Sequence, residues 1–566
     1  MCGFIGRIVV DQTRVGGDLA DALPYLRRRG PDSCAMWRST EQAVELLHTR
    51  LAIVDPDARA TQPFEDKELG VVVVFNGEIY NYPELRRELA AYPFRTTSDT
   101  EVILAAYALR GLAGLNLLRG MYGMALVDTR ARRVYVARDP VGKKPVFLAR
   151  FGGAVSFGSS VLALLAAQGQ TPEINAEAVE FFWRETFVRP DQCIVRGISP
   201  VLPGQIVELD WQGVELGRHT HAPAIRKVYA GEPFGEVVRS AGQLLESAVE
   251  RRLRDNPQPT VLCSGGIDST VITKIAVQMA RKGGLTAPLK ILTLGALVPL
   301  TNDEFYARYA VSKLGERVQI VRPSHRRLSQ QVRDLVSLQD EPLGMISFYP
   351  MARLVAEVSG ISRVLLTGDG GDEVFLGYGR AEMWVRPSED GEGSSAGHVN
   401  SGPPLPEWIS RWGSRMVTDD LVGHGFAKVD RASAEQGVEV RCPLVDWDLM
   451  AYIRSVPPEL LTQGGVMKAL LKRQLAGWPK WFLERRKMGF VMNLRWLWAM
   501  SGYDGLRDLI LPEAQALFGQ WLPSRLRRPV ADWTRRDVFR HFPEAWRLFV
   551  WSEFVRRWRA SAVSSR

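Results

Sequence analysis

The pattern that most restricts the fold of this 566-residue chain is the alternation of strands and helices after about residue 236. Buried strands are indicated by four short apolar runs, PTVLCSGG, LKILTLGA, VQIVRP and RVLLTGDGG, and helical segments such as IDSTVITKIAVQMARKG lie between them. Strands that alternate with helices form parallel sheets, because each return to the same strand direction needs a crossover. We therefore predict a doubly wound parallel-sheet α/β domain over residues 236–566.

The first part of the chain has a different pattern, in which apolar runs follow one another with few helices. Strands are indicated by GFIGRIVV, VVVVFNGEIY, YGMALVD, RVYVARD and PVFLAR, which end at turn-forming residues. Two segments, LADALPYLRRR and DTEVILAAYALR, have helical spacing of apolar residues. This pattern predicts a layered α+β domain over residues 1–215 and a polar linker over 216–235.

Composition excludes several classes of protein. No apolar run is long enough for a membrane span, and the N-terminus lacks the pattern of a signal peptide. The five cysteines form no CxxC pair, which indicates a reduced, cytoplasmic chain without a disulfide framework or zinc site. The net charge of +9 comes mostly from arginine and is interpreted as a solvated surface, because no nucleic-acid recognition motif accompanies it. The low-complexity stretch 387–406 is predicted to be a mobile surface loop.

The segment LCSGGIDST predicts a phosphate-binding loop between a strand and a helix. Gly265 and Gly266 let the backbone approach an anion, and the free N–H groups of the helix N-terminus favour negative charge there. Asp268 suits such a place if a metal ion bridges it to phosphate. A simple turn before a helix is the alternative.

A second acidic loop follows another predicted strand in LLTGDGGDEVFLGY. Asp369, Asp372 and Glu373 lie among glycines, at the strand end where open α/β sheets bind their ligands. These carboxylates are expected to hold Mg²⁺ or the ammonium group of a substrate.

A cysteine directly behind the initiator methionine raises a third question. Cys2 is either a buried inert thiol or a nucleophile that becomes N-terminal once Met1 is removed. The α-amine of such a cysteine can accept the thiol proton, so no separate histidine base is needed. None of the seven histidines forms an obvious catalytic pair, and His48 is expected to be packed.

These motifs resemble those of the glutamine-hydrolysing asparagine synthetases. The glutaminase half of that family is similar to MCGFIG, RRRGPDS, HTRLAIVD, FNGEIYN, SDTEVIL and RDPVGKKP, in this order. The SGGIDS loop resembles that of ATP pyrophosphatases, and the synthetase half is similar to TGDGGDEVFLGY, DRASAEQGVEVRCPLVD, GGVMKALLKR and RRKMGF. The resemblance implies an N-terminal-nucleophile (Ntn) type αββα sandwich followed by an α/β ATP-pyrophosphatase domain.

For the first domain, the resemblance implies that Cys2 attacks the glutamine amide and releases ammonia. Asn76 and the Gly77 N–H would stabilise the oxyanion, and Arg50 would bind the α-carboxylate of glutamine. Asp99, with the Glu78 backbone region, would receive its α-ammonium. The implied glutamine-binding residues are Arg50, Leu51, Ile53, Val54, Asn76, Gly77, Glu78 and Asp99.

For the second domain, the resemblance implies ATP and Mg²⁺ as cofactors and an acceptor carboxylate that is activated as an acyl-adenylate. Ammonia would arrive through an internal tunnel and displace AMP. Asp369 would assist amidation, Lys468 would neutralise phosphate charge, and Asp268 and Asp372 would hold the metal. The implied ATP-binding residues are Cys263, Ser264, Gly265, Gly266, Asp268, Ser269, Leu294, Thr367 and Gly368.

The acceptor is expected to be aspartate, but two alternatives stay open. Leu376 stands where family members often have glycine, and LGMISFYP, after Pro342, is unusually apolar for an aspartate site. The same chemistry could act on a carboxylate of a natural product, a peptide or a sugar acid. A lasso-cyclase or β-lactam-synthetase type of ligase would use an internal amine, which the intact glutaminase motifs oppose. A homodimer is one assembly that the resemblance implies.

Overall fold

The computed structural model describes most of the chain, including strands and helices on both sides of residue 236. The described residues are 1–168, 173–221, 232–254, 256, 258–285, 287–295, 303–322, 328–336, 339–377, 415–485, 495 and 506–563. The predicted loop at 387–406 lies outside these residues.

The first domain is built from two antiparallel sheets of six strands each. Their orders are β10-β8-β9-β1-β3-β2 and β12-β11-β7-β6-β5-β4. The strands are β1 Gly3–Val9, β2 Ser33–Arg38, β3 Val44–Arg50, β4 Phe64–Asp66, β5 Val71–Ile79, β6 Gly120–Asp128, β7 Arg133–Arg138, β8 Phe147–Phe151, β9 Ala154–Gly158, β10 Ile198–Pro200, β11 Gln205–Asp210 and β12 Glu215–Thr220. The helices are α1 Leu23–Leu26, α2 Tyr82–Glu88, α3 Glu101–Arg110, α4 Val161–Gln168 and α5 Ala176–Glu185.

The two sheets pack face to face, with helices on the outside. Phe4 of β1 and Val74 of β5 belong to one buried cluster between the sheets, whereas Phe75 faces the other way and packs with Ile103 of α3. This follows from the strand period of two, which sends neighbouring side chains to opposite faces. The predicted αββα sandwich is confirmed.

Part of the predicted linker is a strand instead. Residues 216–220 belong to β12, which pairs with β11 as the edge of the second sheet. Most of its residues are exposed, and the polar Arg218, His219 and Thr220 among them made the segment look like a linker in the sequence. Residues 222–231 lie outside the described part of the chain, and the next helix begins at Phe234.

The second domain contains a five-stranded parallel sheet in the order β15-β14-β13-β16-β17, which confirms the predicted α/β architecture. Its strands are β13 Thr260–Leu262, β14 Lys290–Leu294, β15 Gln319–Val321, β16 Val364–Leu366 and β17 Glu439–Arg441. Its helices are α6 Phe234–Leu253, α7 Ile267–Arg281, α8 Asp303–Lys313, α9 Leu328–Val336, α10 Phe348–Ser359, α11 Gly371–Val374, α12 Ala427–Ala434, α13 Trp447–Ser455, α14 Pro458–Leu461, α15 Ala469–Gln474, α16 Lys480–Leu483, α17 Leu506–Leu509, α18 Pro512–Phe518, α19 Arg535–Arg540 and α20 Phe542–Val563. A π-helical stretch, Arg415–Phe426, precedes α12.

The strand order places a ligand site at one point of this sheet. From β13 the chain moves to β14 on one side, and β16 later pairs on the other side of β13. Loops that follow two such central strands diverge and leave a crevice at their carboxyl ends. The loops after β13 and β16 are the two that the sequence marked as ligand-binding.

The two domains meet through buried charged groups. Arg29 of the first domain pairs with Asp430 of α12 at 2.9 Å, and both side chains are 4% exposed. Arg441 of β17 pairs in the same way with Glu78 of β5 at 2.9 Å. These contacts bring the amino end of β1 against the edge of the parallel sheet. Among the described residues, none of the helices combines the length and apolarity that crossing a membrane requires.

Candidate active sites

Cys2 lies in a closed pocket at the amino end of β1. Its Sγ accepts a hydrogen bond from the Leu51 N–H at 3.4 Å, and the residue is 8% exposed. The pocket is lined by Cys2, Arg50, Leu51, Ile53, Val54, Gln62, Phe75, Gly77, Glu78, Ser98, Asp99, Thr100 and Glu439. The structure therefore brings Cys2 together with seven of the eight residues predicted to bind glutamine, and the eighth, Asn76, precedes Gly77 in β5.

The two ends of this pocket carry opposite charges. The guanidinium of Arg50 donates hydrogen bonds to backbone carbonyls, including that of Asp57 at 3.0 Å, so its charge remains available for a carboxylate ligand. Asp99 accepts a hydrogen bond from the Ile79 N–H at 3.0 Å. An α-amino acid carries one carboxylate and one ammonium group, and this arrangement matches both.

Asn76 and Gly77 are consecutive residues of β5, and Gly77 lines the Cys2 pocket. Asn76 is fully buried, and neither atom of its amide has a hydrogen-bond partner among the described residues. Buried amides are almost always paired, so an unpaired one points to a ligand. A Cβ at Gly77 would lie 1.9 Å from the carbonyl oxygen of Met121, so only glycine fits there.

Burial sets the protonation states near the thiol. It raises the pKa of the Cys2 thiol above its usual value, although the adjacent amine and the Leu51 N–H act in the opposite direction. Burial also lowers the pKa of the Met1 amine to about 5, so this amine is neutral at pH 7. His48 is fully buried against the Phe75 carbonyl, and burial lowers its pKa to about 3. The imidazole is thus packed and neutral, as the sequence indicated.

The loop after β13 has the structure of an anion cradle. Gly266 is the N-cap of α7, which runs for 15 residues, and Ser264 and Ser269 are joined by a hydroxyl–hydroxyl hydrogen bond of 3.0 Å. Cys263 lies at the carboxyl end of β13 and is fully buried. Arg485 fixes the loop from outside, since it donates to the Gly265 carbonyl at 3.0 Å and pairs with Asp303 at 3.0 Å.

Gly265→Ala is expected to disable this loop. Gly265 has φ +73°, and a Cβ there would lie 2.4 Å from the backbone N of Ala307. Gly283→Ala is the matched control, because Gly283 also has φ +73° but nothing lies within 4 Å of its Cβ position. Both variants carry the left-handed strain of about 1–2 kcal/mol, but only the first displaces the loop. We expect ATP-dependent pyrophosphate release to fall at least tenfold for Gly265→Ala alone; equal losses in both variants would contradict the close approach.

The loop after β16 comes within contact of the first loop. A Cβ at Gly368 would lie 2.8 Å from the Ser269 N, and one at Gly371 would lie 2.6 Å from the Asp268 carboxyl carbon. Glycine at both positions lets the loops meet. Lys468 then joins them, since its Nζ pairs with Asp268 and lies 2.6 Å from Asp372. Its side chain is 10% exposed, and the two carboxylates raise its pKa although burial acts to lower it.

Asp369 has a partner that the sequence did not indicate. Lys428, in the first turn of α12, donates to its carboxylate at 3.2 Å. Although burial acts to raise the pKa of Asp369, Lys428 holds it below its usual value. Asp369 is therefore a carboxylate at neutral pH.

The remaining predicted ATP-site residues lie at the carboxyl edge of the sheet. Leu294 ends β14 and is half-buried, and Thr367 follows β16 and is buried. The Thr367 N–H donates to the Arg441 carbonyl at 3.0 Å. Arg441 thus touches Glu78 of the Cys2 pocket through its side chain and the second site through its backbone.

Sequence reasoning missed several residues that complete the two sites. Gln62 accepts from the Phe75 N–H at 2.6 Å and donates to Thr100 at 3.2 Å, which closes one wall of the Cys2 pocket. The others without a predicted role are Ser98, Thr100, Lys428, Glu439 and Arg485. The residues next to them in the sequence form no motif that would have indicated a role in either site. The one usable signal was the Glu-Val-Arg order at 439–441, because two opposite charges on one face of a short strand suggest an ion pair.

Comparisons with known proteins agree with this division. A glutamine amidotransferase domain model matches residues 1–220, and an asparagine synthase model matches residues 240–556. Glutamine-hydrolyzing asparagine synthetase 3 of Bacillus subtilis is 25% identical and covers 86% of either chain. Glutamine-hydrolyzing asparagine synthetase 3 of Arabidopsis thaliana is 26% identical over 90% of this chain and 81% of its own. A solved structure of glutamine phosphoribosylpyrophosphate amidotransferase from B. subtilis, complexed with ADP and GMP, has 15% identity and a TM-score of 0.29, covering 57% of this chain and 81% of that one.

Proposed function

Because the chain belongs to the asparagine synthase family and carries a glutamine amidotransferase domain ahead of it, we propose that it amidates a small carboxylate, with Cys2 releasing the ammonia and ATP activating the acceptor. It is a carbon–nitrogen ligase with glutamine as nitrogen donor. The observation that carries the proposal is the Cys2 thiol in one pocket with Arg50 and Asp99, beside the unpaired buried amide of Asn76.

The glutaminase step follows from this pocket. Arg50 binds the α-carboxylate of glutamine and Asp99 its α-ammonium, which orients the side-chain amide toward Cys2. The Cys2 S–H proton passes to the α-amine that removal of Met1 exposes, and the sulfur forms a C–S bond with the amide carbon. The oxyanion accepts hydrogen bonds from Asn76 and the Gly77 N–H. The amine then returns the proton to the leaving nitrogen, and water hydrolyses the thioester to glutamate.

The second site suits a nucleotide with Mg²⁺. Asp268 and Asp372 already converge on one cation, the Lys468 ammonium. The described residues contain no cluster of three or more potential metal ligands, so phosphate oxygens and water would supply the other positions, as is usual for Mg²⁺. The metal would neutralise phosphate charge there. Ser264, Gly265, Gly266 and Ser269 would bind pyrophosphate, and Cys263, Leu294, Thr367 and Gly368 would line the adenosine side.

Asp369 is placed to assist amidation. Its carboxylate lies at the carboxyl edge of β16, and Lys428 keeps it ionised. A carboxylate there can accept a proton from ammonia as the nitrogen attacks the acyl-adenylate and AMP leaves.

Aspartate is the acceptor that we propose first. The support comes from the two relatives described above, both of which are asparagine synthetases that match along most of this chain. The Cys2 pocket keeps the residues that glutamine hydrolysis needs, which favours ammonia over an internal amine as the nucleophile.

A different carboxylate is the second candidate, because the chain has a further cavity beside the N-terminal end of α10. Four residues, 360–363, connect α10 to the start of β16, so the opposite end of α10 lies near the carboxyl edge. The cavity there, of about 220 Å³, is lined by Thr186, Gly344, Met345, Ile346, Ser347, His424, Pro543, Trp546 and Arg547. Leu376, which replaces the family's common glycine, is buried with φ +55°, a conformation that favours glycine.

The test uses the purified chain with glutamine, Mg-ATP and aspartate, followed by mass spectrometry. We expect asparagine, AMP and glutamate to form in equal amounts. Glutamate without asparagine would refute aspartate as acceptor, and a panel of peptides and uronic acids would then identify the carboxylate that couples AMP formation to amide formation.

The predicted homodimer and the cytoplasmic location are not needed for this chemistry and stay predictions. The same applies to the expectation that the positive charge of the chain serves no nucleic acid.

A further inference from the structure

One residue of the Cys2 pocket comes from the other domain. Twelve of the pocket's lining residues precede residue 101, and the thirteenth is Glu439, the first residue of β17. It is 2% exposed. We infer that Glu439 is a positioning residue of the glutaminase reaction, which the second domain supplies to hold the α-amine of the mature N-terminus beside the thiol. The inference rests on the proposed role of Cys2.

The backbone of Glu439 is fixed by the parallel sheet. Its N–H donates to the Arg363 carbonyl at 2.7 Å, and it pairs in register with Val364 of β16. Arg441 lies two residues further along β17, so both side chains point to the same face of the sheet, which is the face turned toward the first domain. The Arg441 Nε donates to Glu439 at 2.8 Å, and its other end pairs with Glu78. This leaves the Glu439 carboxylate little freedom.

The charges around the pocket favour an additional cation. Three carboxylates, those of Glu78, Asp99 and Glu439, meet two guanidiniums, those of Arg50 and Arg441, and the Arg50 charge is the one proposed to bind the α-carboxylate of glutamine. In the proposed function, Asp99 binds the α-ammonium group of glutamine. Glu439 instead lines the same pocket as Cys2, whose amine becomes the N-terminus once Met1 is removed. Burial has the largest effect on the pKa of the Met1 amine, which it lowers, and of the Cys2 thiol, which it raises; the Glu439 charge acts to raise both. The charged and titratable groups that face this amine or its carboxylate partner are Cys2, Arg29, Arg50, Asp99, Lys144, Glu439 and Arg441.

A carboxylate at this place has a specific use. The amine must be neutral to accept the thiol proton and becomes an ammonium as the C–S bond forms. In the intact chain, burial lowers the pKa of the terminal amine to about 5, which makes it a weak base. Glu439 opposes this effect by stabilising the ammonium form. The basicity of the amine in the first domain therefore depends on Glu439, a residue more than 400 positions away in the sequence.

The test is the pH profile of glutamine hydrolysis by the full chain after removal of Met1, measured as glutamate release without an acceptor. In Glu439→Gln, the pKa of the amine should fall because a neighbouring negative charge is lost. The rising limb of kcat/KM should then move to lower pH by about one unit, and the plateau should fall about tenfold. Glu439→Asp should restore much of both. A loss of packing alone would lower the plateau without moving the limb.

Glu435→Gln is the matched control. Glu435 is also a shielded carboxylate of the second domain that pairs with the first, at 3.5 Å from Arg28, but it does not line the pocket. Its profile should match that of the wild type. An unmoved limb in Glu439→Gln, or an equal shift in Glu435→Gln, would overturn the inference. A wild-type chain that releases no glutamate would instead refute the proposed function itself.

Discussion

Replacing Cys2 with alanine is expected to abolish glutamine hydrolysis while the synthetase half stays active on added ammonia. The thiol is the only group in the pocket that can form the thioester, so the loss should be at least about a thousandfold in glutamate release. The second site shares no side chain with Cys2, so ammonia-dependent AMP formation with the correct acceptor should stay within about twofold of the wild type. Both activities are measured on the same preparation by mass spectrometry.

Cys34→Ala is the control for this prediction. Cys34 lies on β2 with a side chain that is exposed to solvent, and it lies outside the pocket. Its replacement should leave glutamate release unchanged. Residual glutamine hydrolysis in Cys2→Ala, or a comparable loss in Cys34→Ala, would contradict the assignment of the nucleophile.

Replacing Lys468 with methionine should impair the ATP-dependent half-reaction and leave glutamine hydrolysis intact. Lys468 joins Asp268 and Asp372, and its charge would face the phosphates of bound ATP. Removing a charge that stabilises a transition state typically costs a factor of about 10²–10³ in rate. We therefore expect ATP–pyrophosphate exchange to fall by about that factor, with glutamate release from glutamine unchanged.

Two further variants separate chemistry from stability. Lys468→Met leaves two buried carboxylates without their shared cation, which can destabilise a protein by about 3–5 kcal/mol. Lys468→Arg keeps the charge and should retain the fold but recover exchange only in part, because the guanidinium is larger and flatter. Lys472→Met removes a half-buried lysine one turn further along the same helix and should have no effect on exchange. Full exchange activity in Lys468→Met would refute its role.

Cys2→Ala and Lys468→Met together also test whether glutamine hydrolysis and the ATP-dependent half-reaction are separable. Cys2 and Lys468 belong to different domains, yet Arg441 contacts Glu78 of one site and, through its carbonyl, Thr367 of the other. If Cys2→Ala leaves ATP–pyrophosphate exchange intact and Lys468→Met leaves glutamine hydrolysis intact, this contact joins the sites structurally without making either depend on the other's chemistry.

Sequence reasoning was strongest where the chemistry is local. The loop after β13 was predicted because its strand, its glycines and its helix N-terminus are contiguous, and each has a conformational reason to be there. The layered α+β and parallel-sheet architectures followed from the pattern of apolar residues, and the αββα arrangement was implied by the family resemblance. The structure differs from the predicted linker at 216–220 because an exposed edge strand that contains Arg218, His219 and Thr220 resembles a loop in composition.

The sequence alone was therefore enough to predict the kind of each domain and candidate residues that lie within one loop or strand, such as Cys2, Gly265 and Asp372, while the role of Asn76 came from the family resemblance. The tertiary structure alone decided which distant groups join them. Gln62 forms part of the wall of the Cys2 pocket, and Lys428 stabilises the Asp369 carboxylate by a hydrogen bond. Glu439, a residue of the second domain, lines the Cys2 pocket. The reason is that these contacts depend on strand order and domain packing, and residues far apart in the chain carry no spacing that reveals them.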